Sequence, residues 1–193
     1  MSSEQRSLFS AAELQSARYG QPIEPLAISQ SALRNWKQRV NRFQQQVIVS
    51  LAGEQGSLFG LSPSAEAIAA EVNPFTLPRQ NAEFWRWQVD DVGVAAFYFV
   101  IDYQLPILLY VGETVKANQR WKGEHDCKRY IENYISVHRR CGEENTVGIA
   151  FLHWAPTETR SRQQLESALI YQWRSPFNKQ NWTFWGTPFV GGK

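Results

Sequence analysis

The sequence predicts an α+β fold in which helices flank a small sheet. Three observations point there. Between Ser31 and Ser50, Leu33, Trp36, Val40, Phe43 and Val47 recur at steps of three and four, the spacing of an amphipathic helix. Two runs rich in β-branched and aromatic residues, Val94 to Ile101 and Ile107 to Val111, are separated only by Asp102-Tyr103-Gln104-Leu105-Pro106 and read as a hairpin. After them, helix-patterned segments surround one more apolar run, Thr146 to Trp154, which reads as a third strand.

Taken in chain order, residues 1–75 form an N-terminal helical and loop-rich extension, and residues 76–193 a second unit with denser aromatics. In the extension, Ser29 or Ser31 is placed to cap the first helix. Gly53, Gly56 and Gly60 mark a loop, and a short helix is expected after Ser62-Pro63, with proline at its first position. Pro74 and Pro78 mark the boundary. Beyond the hairpin, one helix is expected from Val115 to Trp121, interrupted at Gly123, and another from Asp126 to Arg139. Ser161-Arg162-Gln163-Gln164 fits a capping box opening a last helix, which Ser175-Pro176 ends, because proline disfavours helical backbone in the residue before it.

Composition narrows the function classes. A chain of 193 residues, 43% hydrophobic and 13% aromatic, can bury one good core. A net charge of +2 and a pI near 8.6 suit a nucleic-acid partner without requiring one. No run of apolar residues is long enough to span a membrane, and the N-terminal residues lack the apolar core of a signal peptide. Two cysteines, Cys127 and Cys141, make no disulfide framework, and a reducing cytoplasm is the simplest location. With His125 and His138 these cysteines could in principle ligate zinc, but their spacing is irregular for such a site.

Chemistry gathers in the C-terminal half. Tyr98 stands in the first strand and Tyr110 in the second, followed at once by Val111-Gly112. Arg120 comes ten residues after Tyr110, and Glu166 and Asn178 follow, twelve residues apart. Leu169, Ile170 and Trp173 lie three, four and seven residues after Glu166, which puts its carboxylate on or at the rim of an apolar helix face. A carboxylate there needs a partner, either a bound cation or an arginine such as Arg162 or Arg120. Two tyrosines, an arginine, a glutamate and an asparagine in this order and register resemble the GIY-YIG nuclease superfamily, over roughly residues 94–180.

The resemblance implies a three-stranded antiparallel sheet in the order β-β-α-α-β-α and hydrolysis of DNA phosphodiester bonds with one divalent ion, Mg²⁺ or Mn²⁺. It implies Glu166 as metal ligand, Tyr98 as general base, Tyr110 lining the site, Arg120 on the phosphate, and Gly112 and Asn178 as structural residues beside them. An unperturbed tyrosine titrates near 10, so such a base needs positive charge close by. Arginine suits the phosphate because its planar fork keeps its charge at any working pH. The chain departs from the family in reading Ala96-Phe97-Tyr98 at the first triplet, in a tyrosine interval one residue longer than the commonest, and in placing Glu124 four residues after Arg120, where many members carry His or Tyr. His125 follows and is a further catalytic candidate. Lys116, Lys122, Lys128 and Arg129 belong to a stretch in which basic residues outnumber acids, and are candidate DNA contacts.

The extension carries a repeated peptide. Gln5-Arg6-Ser7-Leu8-Phe9 and Gln55-Gly56-Ser57-Leu58-Phe59 share Gln-x-Ser-Leu-Phe, each preceded by glutamate. They resemble the peptide by which bacterial replication and repair proteins dock on the β sliding clamp. Leu8 and Phe9, or Leu58 and Phe59, would fill an apolar pocket, while Gln5 or Gln55 sets register through its amide. The other reading of these residues is ordinary packing. For the whole chain the expectation is a metal-dependent DNA endonuclease, recruited by the clamp. The alternatives are a catalytically weak domain that binds DNA or a partner, and a restriction or homing endonuclease that reads sequence through the first helix, with Trp36, Lys37, Arg39 and Arg42.

Overall fold

The computed structural model describes residues 28–53, 64–81, 95–114 and 126–189. Helix α1 (Gln30–Gly53) opens after Ser29, whose hydroxyl accepts from the Ala32 N–H and so satisfies one exposed donor of the first turn. Helix α2 (Ala65–Ala70) is capped by Ser64, which accepts from the Ala67 N–H, so its first turn starts later than the Ser62-Pro63 expectation. A single 3₁₀ turn (Pro74–Thr76) leads to strand β1 (Arg79–Asn81). Strands β2 (Ala96–Asp102) and β3 (Ile107–Thr114) form the expected hairpin. Helix α3 (Asp126–Cys141), strand β4 (Val147–Leu152), helix α4 (Thr159–Trp173) and the one-turn helix α5 (Trp182–Trp185) complete the order.

The sheet is antiparallel and four-stranded, in the order β1-β4-β2-β3, rather than three-stranded. The added strand is three polar residues, Arg79-Gln80-Asn81, pairing with Gly148 to Ala150 at the sheet's edge. An edge strand buries little and so carries no apolar alternation that a sequence could display. The last helix also departs from expectation. It starts at Thr159, and Ser161 lies inside its first turn, with its hydroxyl donating to the Glu158 carboxylate at 2.5 Å. The Ser161–Gln164 capping box is therefore not formed.

Both faces of the sheet are covered. On one, Leu33, Trp36 and Val40 of α1 and Tyr130, Tyr134 and Val137 of α3 pack on Tyr98, Val100, Leu109 and Phe151, with Phe177 and Phe189 of the C-terminal segment. On the other, Leu165, Leu169, Ile170 and Trp173 of α4 and Ala69 of α2 pack on Phe97, Phe99, Ile101 and Val111. Residues before 76 thus build both cores together with the sheet. Helix α1 passes from one face to the other, since Val47 and Ile48 at its far end join the second cluster. The crossing occurs along β3, which among the described residues has no strand beyond it.

That crossing solves a problem of polar satisfaction. An edge strand covered by a helix has outward N–H and C=O groups shut away from water, and each unpaired group costs about 1–3 kcal/mol. Here side chains pair with them. Buried Gln44 accepts from the Leu108 N–H at 2.8 Å and donates to Leu108 O at 2.9 Å and to Trp173 O at 3.0 Å. Asn41 donates to Pro106 O at the start of the strand. The Phe177 N–H donates to Leu109 O at 2.8 Å, and Asn178 and Glu166 act further along.

A buried ionic cluster joins α1, the hairpin and α3. Asp102 is fully buried and pairs with Lys37 at 2.9 Å. It also accepts from the Tyr134 hydroxyl and from the backbone N–H groups of Gln104 and Thr146. Trp36 and Lys37, candidates for reading DNA, are therefore core residues and not part of a surface, and Arg34 pairs with Glu143.

Candidate active site

The end of β3 brings several candidates together. Tyr98 stands opposite Gly112 on β3 and opposite Phe151 on β4. The Tyr98 ring lies across Gly112, so that a Cβ at that position would fall within 2.7 Å of Tyr98 Cε1 and nearer still to the phenol end. Only glycine admits this overlap. The Tyr110 ring stacks on Tyr98, with centroids 5.8 Å apart and planes at 28°. Tyr98 is wholly buried and Tyr110 is half-buried, so Tyr110 is the outer ring of the stack.

Asn178 fixes the backbone between these rings. Its Oδ1 accepts from the Val111 N–H at 3.0 Å, its Nδ2 donates to Val111 O at 2.8 Å, and the Ser175 hydroxyl donates to the same Oδ1 at 2.6 Å. The carboxamide thus takes the place of a neighbouring strand's peptide group. Two residues on, Glu166 Oε1 accepts from the Glu113 N–H at 3.1 Å. The α4 spacing is responsible: Leu165, Leu169, Ile170 and Trp173 are buried and hold the helix on the sheet, leaving Glu166 half-buried at its rim. Arg162, one turn earlier, is buried and engaged elsewhere. It forms an ion pair with Glu113 and donates to the carbonyls of Pro156 and Thr157.

Thus Tyr98, Tyr110, Gly112, Glu166 and Asn178, far apart in sequence, meet along one stretch of β3. Lys128 and Arg129 lie at the start of α3, half-buried and exposed, with the Arg129 guanidinium over the Tyr130 ring at 5.4 Å. Arg120, His125, Lys116 and Lys122 lie outside the described residues, in the segment that begins directly after Thr114 at the end of β3. Both Gln-x-Ser-Leu-Phe peptides, with Gln5, Leu8, Phe9, Gln55, Leu58 and Phe59, also lie outside them. Cys127 is in the core and Cys141 Sγ contacts Ile28 O at 3.7 Å, while His138 Nδ1 is bonded to Tyr134 O.

The donors at Glu166 bear on the metal. Among the described residues, no three His, Cys, Asp or Glu side chains gather as a metal cluster. The half-buried Glu166 carboxylate at this stretch is chemistry that would suit a hard ion such as Mg²⁺ or Mn²⁺, which is bound through few carboxylates plus water and substrate oxygens.

The sequence reading passed over Gln44 and His153. Gln44 reads as one of three consecutive solvated glutamines, yet it is the residue that seals β3. His153, just past β4, stacks on Phe151 at 5.8 Å, and Phe151 in turn lies 6.4 Å from Tyr98. It lies two residues from Phe151, one residue past the end of β4. No protein-family model matches the chain, and no curated protein or solved structure matches it either. Among the described residues no helix is long and apolar enough to cross a membrane.

Proposed function

We propose that the chain is a GIY-YIG-type, metal-dependent DNA endonuclease. The observation that carries this reading is the convergence of Glu166, Asn178 and the Tyr98–Tyr110 stack on the Tyr110–Glu113 stretch of β3, with Gly112 as the position that lets the rings close. In this reading Glu166 holds Mg²⁺ or Mn²⁺, which when bound supplies Lewis-acid polarisation of the phosphate. Arg120 neutralises charge that gathers on the phosphate oxygens. Asn178 holds the Val111 backbone and thereby the ring of Tyr110. The resemblance gives the base role to Tyr98. Its burial beneath Tyr110 favours Tyr110 Oη as the atom that takes the proton of the attacking water, with Tyr98 supporting the ring from below. Tyr110→Phe is then expected to lower turnover about 100-fold or more, and Tyr98→Phe distinctly less, in single-turnover assays. The reverse order returns the role to Tyr98.

The reading is tested with purified protein on supercoiled plasmid and on duplex, flap, branched and single-stranded DNA, with Mg²⁺, with Mn²⁺ and with EDTA. Metal-dependent nicking above background supports it, and its absence on every substrate leaves a DNA-binding module.

The two Gln-x-Ser-Leu-Phe peptides support recruitment by a bacterial β sliding clamp. Two copies on one chain would also raise the effective concentration at a ring with repeated pockets. Leu8→Ala/Phe9→Ala should weaken clamp binding in a titration while cleavage of naked DNA stays unchanged. No binding by the intact chain would reduce the repeat to a packing coincidence.

A further inference from the structure

The 24 residues of α1 contain no Asp or Glu, and neither does the chain from Ser167 to its end. These two stretches pack on each other: Arg39 donates to Trp185 O at 2.8 Å, and the Phe43 ring meets those of Phe184 and Trp185 at 5.9 and 5.6 Å. Arg39, Arg42 and Lys179 on these stretches are exposed, as are two aromatic rings of the second stretch. Tyr171 is 69% exposed and Phe184 is 53% exposed. The Arg174 guanidinium lies over both, 4.2 Å from the Tyr171 centroid and 5.1 Å from that of Phe184. Glu66 of α2 lines the same cavity as Tyr171 and puts an acid on that side.

Arg174 is unusual in its backbone. It caps α4 with φ at 47°, and among the described residues it is the one non-glycine with positive φ. A helix end of this kind favours glycine, since a Cβ in the left-handed region is strained. Here the position carries a long cation whose head sits between two solvent-exposed rings. Lys179 follows directly on Asn178, whose carboxamide is bonded to Val111 in the middle of β3.

We infer that Tyr171, Arg174 and Phe184, flanked by Arg39, Arg42 and Lys179, bind unpaired DNA at the C-terminal end of α4, about 12 Å along the helix from Glu166. The inference rests on the nuclease reading for its choice of polyanion. The chemistry selects a single strand: cations carried on stretches of sequence that contain no acid attract phosphates, whereas exposed rings and a planar guanidinium recognise base faces, which a duplex hides in its own stack. A nuclease holding an unpaired strand here would act on DNA with a single-stranded segment beside the cut.

The test is a fluorescence-anisotropy titration of the full chain in EDTA, with a labelled single-stranded oligonucleotide, an abasic strand of equal length and a duplex. Tyr171→Ala/Phe184→Ala is expected to weaken single-strand binding about tenfold or more and abasic-strand binding no more than about twofold. Arg174→Gly removes the cation but relieves the backbone, so the melting temperature should hold or rise while single-strand affinity falls. Because Tyr171 projects into solvent, Tyr171→Ala alone repeats the test should the double variant misfold. Equal losses for normal and abasic strands, a wild-type preference for duplex, or equally tight binding of polyglutamate would each overturn the inference. Cleavage by the same protein with Mn²⁺ is read separately. Binding without cleavage sinks the nuclease reading and keeps the surface, and cleavage without the base-dependent difference does the opposite.

Discussion

Glu166→Gln is expected to abolish metal-dependent cleavage, lowering turnover by at least about 100-fold, without loss of the fold. The amide oxygen of glutamine can still accept from the Glu113 N–H, so the local geometry of α4 against β3 is preserved. What disappears is the negative charge that a divalent ion requires. The melting temperature should shift by no more than about 2 °C, corresponding to about 1 kcal/mol or less for a chain of this size. DNA affinity in EDTA should be unchanged, because that measurement contains no ion. Cleavage at the wild-type rate would remove Glu166 from the site. A large fall in melting temperature would show that the charge serves the fold instead.

The largest effect on stability is expected from Asp102→Ala. The change leaves the Lys37 ammonium buried without its counterion and deprives the Tyr134 hydroxyl and the Gln104 and Thr146 N–H groups of their acceptor. Breaking a buried pair in this way costs about 3–5 kcal/mol, or about 10 °C in melting temperature here. The pH dependence has a definite sign. Burial alone would raise the Asp102 carboxyl, but the Thr146 N–H, the Tyr134 hydroxyl and the Lys37 ammonium together hold it below its ordinary value. Its contribution is therefore complete above the ordinary carboxylate range and is lost as pH falls through the lowered folded value. His138, packed on Tyr134 with centroids 4.1 Å apart, adds an earlier step. Burial outweighs the Tyr134 carbonyl and the nearby Asp102 and Glu143 charges, while Lys37 acts with burial, so its folded value lies below the ordinary 6.5. The unfolded chain then binds more protons, and stability declines as pH drops below about 6.5. Chemical denaturation from pH 8 to pH 3 should show both steps in the wild type and lose the lower one in Asp102→Ala. A melting temperature unchanged by the substitution would show that the cluster contributes nothing net.

Much of the fold was legible because its signals are local. The spacing of Leu33, Trp36, Val40, Phe43 and Val47 defines one helix face whatever it packs on, and the apolar runs around Tyr98, Tyr110 and Ile149 read directly as strands. The candidate site was legible in part, since the resemblance singled out Gly112, Glu166 and Asn178, which the structure brings to one stretch of β3. What escaped was decided by partners distant in sequence. Gln44 and Leu108 are 64 residues apart, and nothing about a glutamine in a polar run announces that it will be buried against a strand edge. Lys37 read as a surface cation because its counterion, Asp102, lies beyond the extension, in the hairpin. Strand β1 is three polar residues whose strand character comes entirely from β4.

The sealed margin of β3 bears on self-association. A strand at the rim of a sheet is normally a template on which a second chain can add its own backbone, and proteins blunt it with charge, twist or brevity. Here the Leu108 and Val111 amides and carbonyls are already bonded to the carboxamides of Gln44 and Asn178. Among the described residues, the opposite rim is the three residues of β1. Among the described residues, then, β3 offers little free ladder along which a second sheet could add, and contacts between copies of the protein there would fall to side chains.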